Sequence, residues 1–121
     1  MKKLILLAVA AIFSFAFENV DAAAFAKLLQ QKDVVVLDVR TPQEFKEEHI
    51  KGANLIPIQV FRYLFLGGRG IRDKSVLVYC HSGNRSVKAS KWLEYWGVKK
   101  VYNLRGGILE WKAAKLPLVR E

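Results

Sequence analysis

Two short runs, Val34 to Val39 broken only by Asp38, and Val76 to Tyr79, lack the apolar–polar alternation of a strand with one wet face. Strands of that kind are covered on both sides, as in parallel sheets. Around them the apolar spacing turns helical. Asp21 can cap a helix from Ala22 to about Gln31, with Phe25, Leu28 and Leu29 on one face. Thr41, Pro42 and Glu44 occupy the N-cap, N1 and N3 positions of a capping box, which predicts a helix to about His49 ended by Lys51 and Gly52. A short strand is expected over Ala53–Ile56, and a helix from Ile58 to Leu66 with Phe61, Leu64 and Phe65 on its apolar face, closed by Gly67, Gly68 and Gly70. Then follow a strand Ser75–Tyr79, a helix Ser86–Trp96 stopped by Gly97, a strand Val98–Tyr102 and a helix from Ile108 to about Ala114. Strands alternating with helices over short connections predict an α/β fold, a parallel sheet with helices on both faces.

The chain of 121 residues has room for one core, assigned here to residues 17–121. Residues 1–16 read as a signal peptide. Lys2 and Lys3 precede an apolar stretch from Leu4 to Phe17 interrupted only by Ser14, and Ser14 and Ala16 supply the small side chains of a cleavage site after Ala16. The stretch is short for a bilayer span of about 20 residues. A buried first helix, an uncleaved anchor and a cut after Ala24 are the alternatives. The expected location is therefore exported, periplasmic, with membrane contact only if the leader stays on.

Cys80 is the only cysteine, so an internal disulfide is impossible, and an odd cysteine in an exported protein points to a reactive thiol. The formal net charge is +9, with the basic residues dispersed and in no run of five. Such a surface attracts anions in general, and without a basic cluster nucleic acid is not an expected partner. The two histidines and one cysteine have no metal-ligand spacing, and no cofactor is predicted.

Cys80 ends its strand and opens the segment His81, Ser82, Gly83, Asn84, Arg85, Ser86. In open α/β sheets, sites form beyond the carboxyl ends of strands. Gly83 can take the positive φ that turns successive N–H groups toward one point, and the following helix N-terminus and Arg85 add positive potential, all favouring an ionised sulfur. A small buried core cysteine is the bland alternative. His81 reads as a donor in that ring or as a surface side chain.

The segment Cys80–Ser86, CHSGNRS, resembles the active-site loop of the rhodanese family of sulfurtransferases, C-x-x-G-x-R-S. LDVRTPQEFKEEHIKGANLIP, Leu37 to Pro57, is similar to that family's upstream motif, and NLRGGILEW, Asn103 to Trp111, to its downstream one. The plan is nearest to the single-domain exported rhodaneses. The resemblance implies a rhodanese-like domain with a five-stranded parallel sheet, acting as a monomer in a two-step reaction. Cys80 would be the catalytic nucleophile, taking the sulfane sulfur of a small anionic donor such as thiosulfate as a persulfide and passing it to cyanide or a thiol. His81, Ser82, Gly83, Asn84, Arg85 and Ser86 would bind the persulfide and substrate, with Arg85 on the donor's sulfonate or holding the loop's shape.

Arg40 is a candidate electrostatic support for the site, or one member of a structural network with Asp38, Glu44 and His49. Gly106 and Gly107 would let the chain pass close to the active-site loop. Trp92, Trp96 and Trp111 read as packing residues, and Arg62 and Tyr63 as water-facing. Two other functions fit the same cysteine. One is a non-enzymatic persulfide carrier or interaction module. The other is a phosphatase or arsenate reductase, whose loop has five residues between cysteine and arginine where this chain has four.

Overall fold

The computed structural model describes residues 17–64 and 68–121. The leader read in residues 1–16, its cleavage site and the placement of Phe65 lie outside the described residues. The described chain runs β1 (Glu18–Val20), α1 (Ala22–Leu28), β2 (Val34–Asp38), α2 (Pro42–Glu47), β3 (Asn54–Leu55), α3 (Ile58–Leu64), β4 (Ser75–Tyr79), α4 (Asn84–Tyr95), β5 (Lys100–Leu104) and α5 (Gly107–Ala113). The five strands form one sheet in the order β1-β5-β4-β2-β3, and every pair is parallel.

The two unbroken apolar runs become the centre of this sheet. Every residue of β4 is buried, and its side chains alternate between two cores. Val76, Val78 and Cys80 pack with Leu37, Val39, Phe61, Ala89 and Leu93, from β2, the β2–α2 junction, α3 and α4. Leu77 and Tyr79 pack on the opposite face with Phe25 of α1 and Ile108 and Trp111 of α5. A strand with helices on both faces has no position where a polar residue would meet water, which explains the missing alternation.

Local signals fix several boundaries. The Asp21 side chain accepts from the Ala24 N–H and starts α1, and the Thr41–Glu44 capping box starts α2 as the sequence implied. Helix α4 closes at Gly97, φ +88°, where the Gly97 N–H donates to Glu94 and the Val98 N–H to Leu93. That pair of bonds is a Schellman motif, and it turns Val98 back into the core.

Other boundaries differ from expectation, each for a visible reason. Strand β5 begins at Lys100, not Val98, because the Schellman turn uses Gly97 and Val98. It ends at Leu104, not Tyr102, so Asn103 is a buried strand residue, donating through Nδ2 to Asn19 Oδ1 at 2.9 Å across the β1–β5 pair. Helix α2 stops at Glu47, before His49, because Glu48 is extended and His49 bridges antiparallel to Val119 near the C-terminus. Helix α1 ends at Leu28, before Gln31, as Gln30 and Gln31 bond three residues back in a tighter turn. Helix α4 begins at Asn84, two residues before Ser86, with Gly83 as its N-cap.

The sheet order sets the location of the site. The chain leaves β2 toward β3 and leaves β4 toward β5, in opposite directions across the sheet, so it diverges above the carboxyl ends of β2 and β4. Such a divergence opens a crevice, and Cys80 stands at its edge. Leu93 is fully buried between α4 and the sheet. Leu93→Ala is expected to lower stability by about 3 kcal/mol through lost burial and a residual cavity. Urea unfolding with an unchanged m-value checks this.

Candidate active site

Cys80 follows the last residue of β4 and is 1% exposed. Its Sγ accepts the Gly83 N–H at 3.1 Å and lies 3.3 Å from Ser86 Oγ. The Gly83 bond requires the chain to double back within three residues, which the left-handed φ of +106° at Gly83 achieves. Ser86 Oγ is also 3.2 Å from the Gly83 carbonyl. A hydroxyl has one proton, so it serves the two partners alternately. Against a thiol it accepts from S–H and donates to Gly83; against a thiolate it turns its proton to the sulfur. Helix α4 has no side-chain cap, so its first-turn N–H groups remain directed at the loop.

The loop is held from the other side by the turn that starts α5. The Cys80 carbonyl accepts from the Ile108 N–H at 2.9 Å, and the His81 carbonyl from the Leu109 N–H at 3.2 Å. The two segments touch backbone to backbone. A Cβ on Gly83 would overlap the Arg105 carbonyl, and one on Gly107 would overlap the His81 carbonyl. The close passage read for the glycine pair is therefore Gly107's role. Gly106 does something else: its N–H donates to Glu110 Oε1 at 3.0 Å, while Glu110 Oε2 accepts from Ala22 at 2.7 Å and ties the start of α1 to α5.

The predicted loop residues divide by exposure. Gly83 and Ser86 are buried with Cys80; His81, Ser82 and Asn84 are exposed; Arg85 is half-buried. Among the described contacts, the Gly83 N–H is the one backbone amide of the loop that donates to the sulfur.

Arg85 points at a carboxylate. Its Nη1 donates to Glu44 Oε1 at 2.9 Å and its Nη2 to Oε2 at 3.0 Å, a two-pronged pair that joins the first turns of α4 and α2. The Arg85 hydrogen bonds draw the Glu44 carboxyl down to about 2, against partial burial and with help from the Thr41 N–H. The Glu44 bonds in turn raise Arg85.

Arg40 enters the electrostatics of the site as half of an ion pair, its charge still acting on Arg85 and Glu44. It is 3% exposed and locked on Asp38, which is itself fully buried, through Nε–Oδ1 at 3.0 Å and Nη2–Oδ2 at 2.7 Å. Nη2 also donates to the Glu48 carbonyl at 2.7 Å, and the guanidinium sits 5.6 Å from the centre of the Tyr79 ring. Burial works against the Arg40 charge, but the Asp38 hydrogen bond and charge outweigh it and raise the pKa. Burial first, then the Asp38 charge, pushes Tyr79 ionisation far up, and its hydroxyl accepts the Ile50 N–H at 3.0 Å.

The four-residue network of the sequence reading thus splits into separate parts. Asp38 and Arg40 form one, and Glu44 turns to Arg85. His49 Nδ1 donates to the Phe45 carbonyl at 2.8 Å, with its ring stacked on Phe45. Sequence reasoning grouped Glu44 with Arg40 and missed its pairing with Arg85, since its capping role already accounted for the carboxylate. Arg62 and Tyr63 do face water, and Trp111 is buried, its Nε1 donating to the Pro117 carbonyl at 2.9 Å.

The sequence profile of the Rhodanese-like domain matches residues 21–114. The chain is 37% identical over 98 residues to a sulfurtransferase of Allochromatium vinosum, covering 77% of this chain and 85% of that one. It is 36% identical over 87 residues to thiosulfate sulfurtransferase GlpE of Coxiella burnetii, covering 72% and 79%. An uncharacterized protein of Synechocystis is 39% identical over 94 residues, and there the chain spans 51% of the relative's length. Among solved structures, a rhodanese-related protein of Thermoplasma volcanium superposes with a TM-score of 0.76 at 33% identity, covering 86% of this chain and 99% of the other.

The Glu44 carboxyl binds its proton less readily folded, at about 2, than its ordinary 4.5. Its contribution to stability is complete above that ordinary value and is lost as pH falls toward the folded one. Both side chains are partly exposed, so Glu44→Gln is expected to cost about 1 kcal/mol at neutral pH. The difference from wild type should shrink through the acid window in urea titrations. A difference constant with pH would refute the coupling.

Proposed function

The chain belongs to the rhodanese-like domain family, and from that premise we propose that it is a sulfurtransferase working through a persulfide on Cys80. The thiolate attacks the outer sulfur of a sulfane donor. The donor's S–S bond breaks with its electron pair, leaving sulfite when the donor is thiosulfate, and Cys80 keeps the transferred sulfur. A thiol or cyanide then attacks that sulfur, and the pair returns to Sγ. Splitting one transfer into two displacements is covalent catalysis, and it predicts ping-pong kinetics.

The observation that carries this reading is the setting of the sulfur: Gly83 N–H at 3.1 Å, Ser86 hydroxyl at 3.3 Å, and an uncapped helix N-terminus beyond. Donors preorganised around a sulfur stabilise the charge that Sγ carries as thiolate and that the outer sulfur carries as persulfide. Arg85 bears on the phosphatase alternative. An arginine that serves a phosphate offers it both prongs of its fork, whereas here both prongs are on Glu44.

The purified chain, assayed with thiosulfate and cyanide, is expected to release thiocyanate with parallel double-reciprocal plots. Intact-mass spectrometry after donor alone should find one added sulfur atom. Cys80→Ser should lose both signals. Equal thiocyanate release by the two proteins would overturn the proposal; sulfur loading without turnover to cyanide or thiols would replace it with a non-enzymatic persulfide carrier.

A further inference from the structure

Resting on the sulfurtransferase reading, the Glu44–Arg85 pair bears on which donor the site accepts. The sequence places two cations beside Cys80, and in the fold each is answered by a carboxylate. Arg40 is buried against Asp38, and Arg85 is held on both prongs by Glu44 at 2.9 and 3.0 Å. The two pairs sum to zero charge. Of the groups that remain around the loop, Ser82 and Asn84 are neutral, and His81 and Arg105, the latter with its carbonyl against Gly83, are exposed.

Donors place very different charge on such a site. With thiosulfate, a bond forms between Sγ and the outer sulfur as the S–S bond breaks onto sulfite. Three negative charges enter, one on the thiolate and two on the donor, and three leave. With a neutral organic persulfide R–S–SH, the same bond forms, the pair leaves on R–S⁻, and the proton stays on the transferred sulfur. One negative charge enters and one leaves. An unpaired Arg85 would suit the first reaction, while a neutralised one leaves the loop and helix dipoles to carry the charge, which suits the second.

We propose that Glu44 is a specificity-determining residue: by occupying the Arg85 fork it turns the site away from dianionic donors and toward organic persulfides. Glu44 acts through Arg85, without touching the reacting sulfur. Its side chain also accepts from the Thr41 N–H at 3.0 Å, an interaction that glutamine's carbonyl oxygen can keep. Charge and capping can therefore be separated.

The test compares kcat/KM for thiosulfate with kcat/KM for the persulfide of 2-mercaptoethanol, a donor with no other charge, using cyanide as acceptor for both. Selectivity is the ratio of the two. Glu44→Gln should raise that ratio about fivefold, mostly through a lower KM for thiosulfate, and added salt should erase the gain. Arg85→Gln, which leaves Glu44 unpaired, should lower it. The charge-neutral double variant, Glu44→Gln with Arg85→Gln, should return to the wild-type ratio. An unchanged ratio in Glu44→Gln, or equal losses with both donors, would reduce Glu44 to a structural role. A double variant as poor with thiosulfate as Arg85→Gln alone would make Arg85 the sulfonate ligand and overturn the proposal. A wild type that takes sulfur from neither donor overturns the sulfurtransferase reading itself, an outcome distinct from the others.

Discussion

Two backbone hydrogen bonds, from Ile108 and Leu109 to the carbonyls of Cys80 and His81, hold the Cys80–Ser86 loop in place. They form only because Gly83 and Gly107 bring two stretches of bare backbone into contact. With those carbonyls engaged from the α5 side, the loop's N–H groups are left to turn inward, and Gly83 delivers its own to the sulfur. The environment of Cys80 is thus built by a segment about 25 residues downstream of it as much as by its own loop. Side-chain substitutions at exposed His81, Ser82 or Asn84 leave that backbone clasp intact.

Charge in the site is organised as pairs. Arg40 and Asp38 are fully withdrawn from solvent and hold the end of β2 to the carbonyl of Glu48, so their work is structural. Arg85 and Glu44 are partly wet and join the first turns of two helices that reach the site from different strands. A buried pair missing one partner leaves an uncompensated charge, whereas a partly exposed pair can lose one at modest cost. The second pair is therefore the one that can vary to tune chemistry without unfolding the domain.

Much of this was legible because it was local. The run Val76–Tyr79, bounded by Lys74 and Cys80, gave β4 its full extent, and Thr41-Pro42-Gln43-Glu44 announced α2 by its capping chemistry. The positive φ at Gly83 followed from the need to fold the loop back on its cysteine. What escaped was either unsigned or remote. Gly83 caps α4 without a side chain, so Ser86 looked like the helix start, while its hydroxyl bonds back to Gly83. The partner of Arg85 lies 41 positions away, and nothing in the local sequence says that a capping glutamate has a second oxygen to give.

The parallel topology has a consequence for how the site comes into being. Among the described strands no two consecutive ones are joined by a hairpin, and β1 pairs with β5, Glu18 opposite Tyr102. A sheet closed by such distant partners folds slowly, because loop-closure entropy is lost before contacts compensate for it. On the ribosome, β4 and Cys80 emerge before Arg105, Gly107 and Ile108, so the loop is made before the segment that clasps its backbone. The surroundings of the sulfur therefore take their final shape only once the last quarter of the chain has been made.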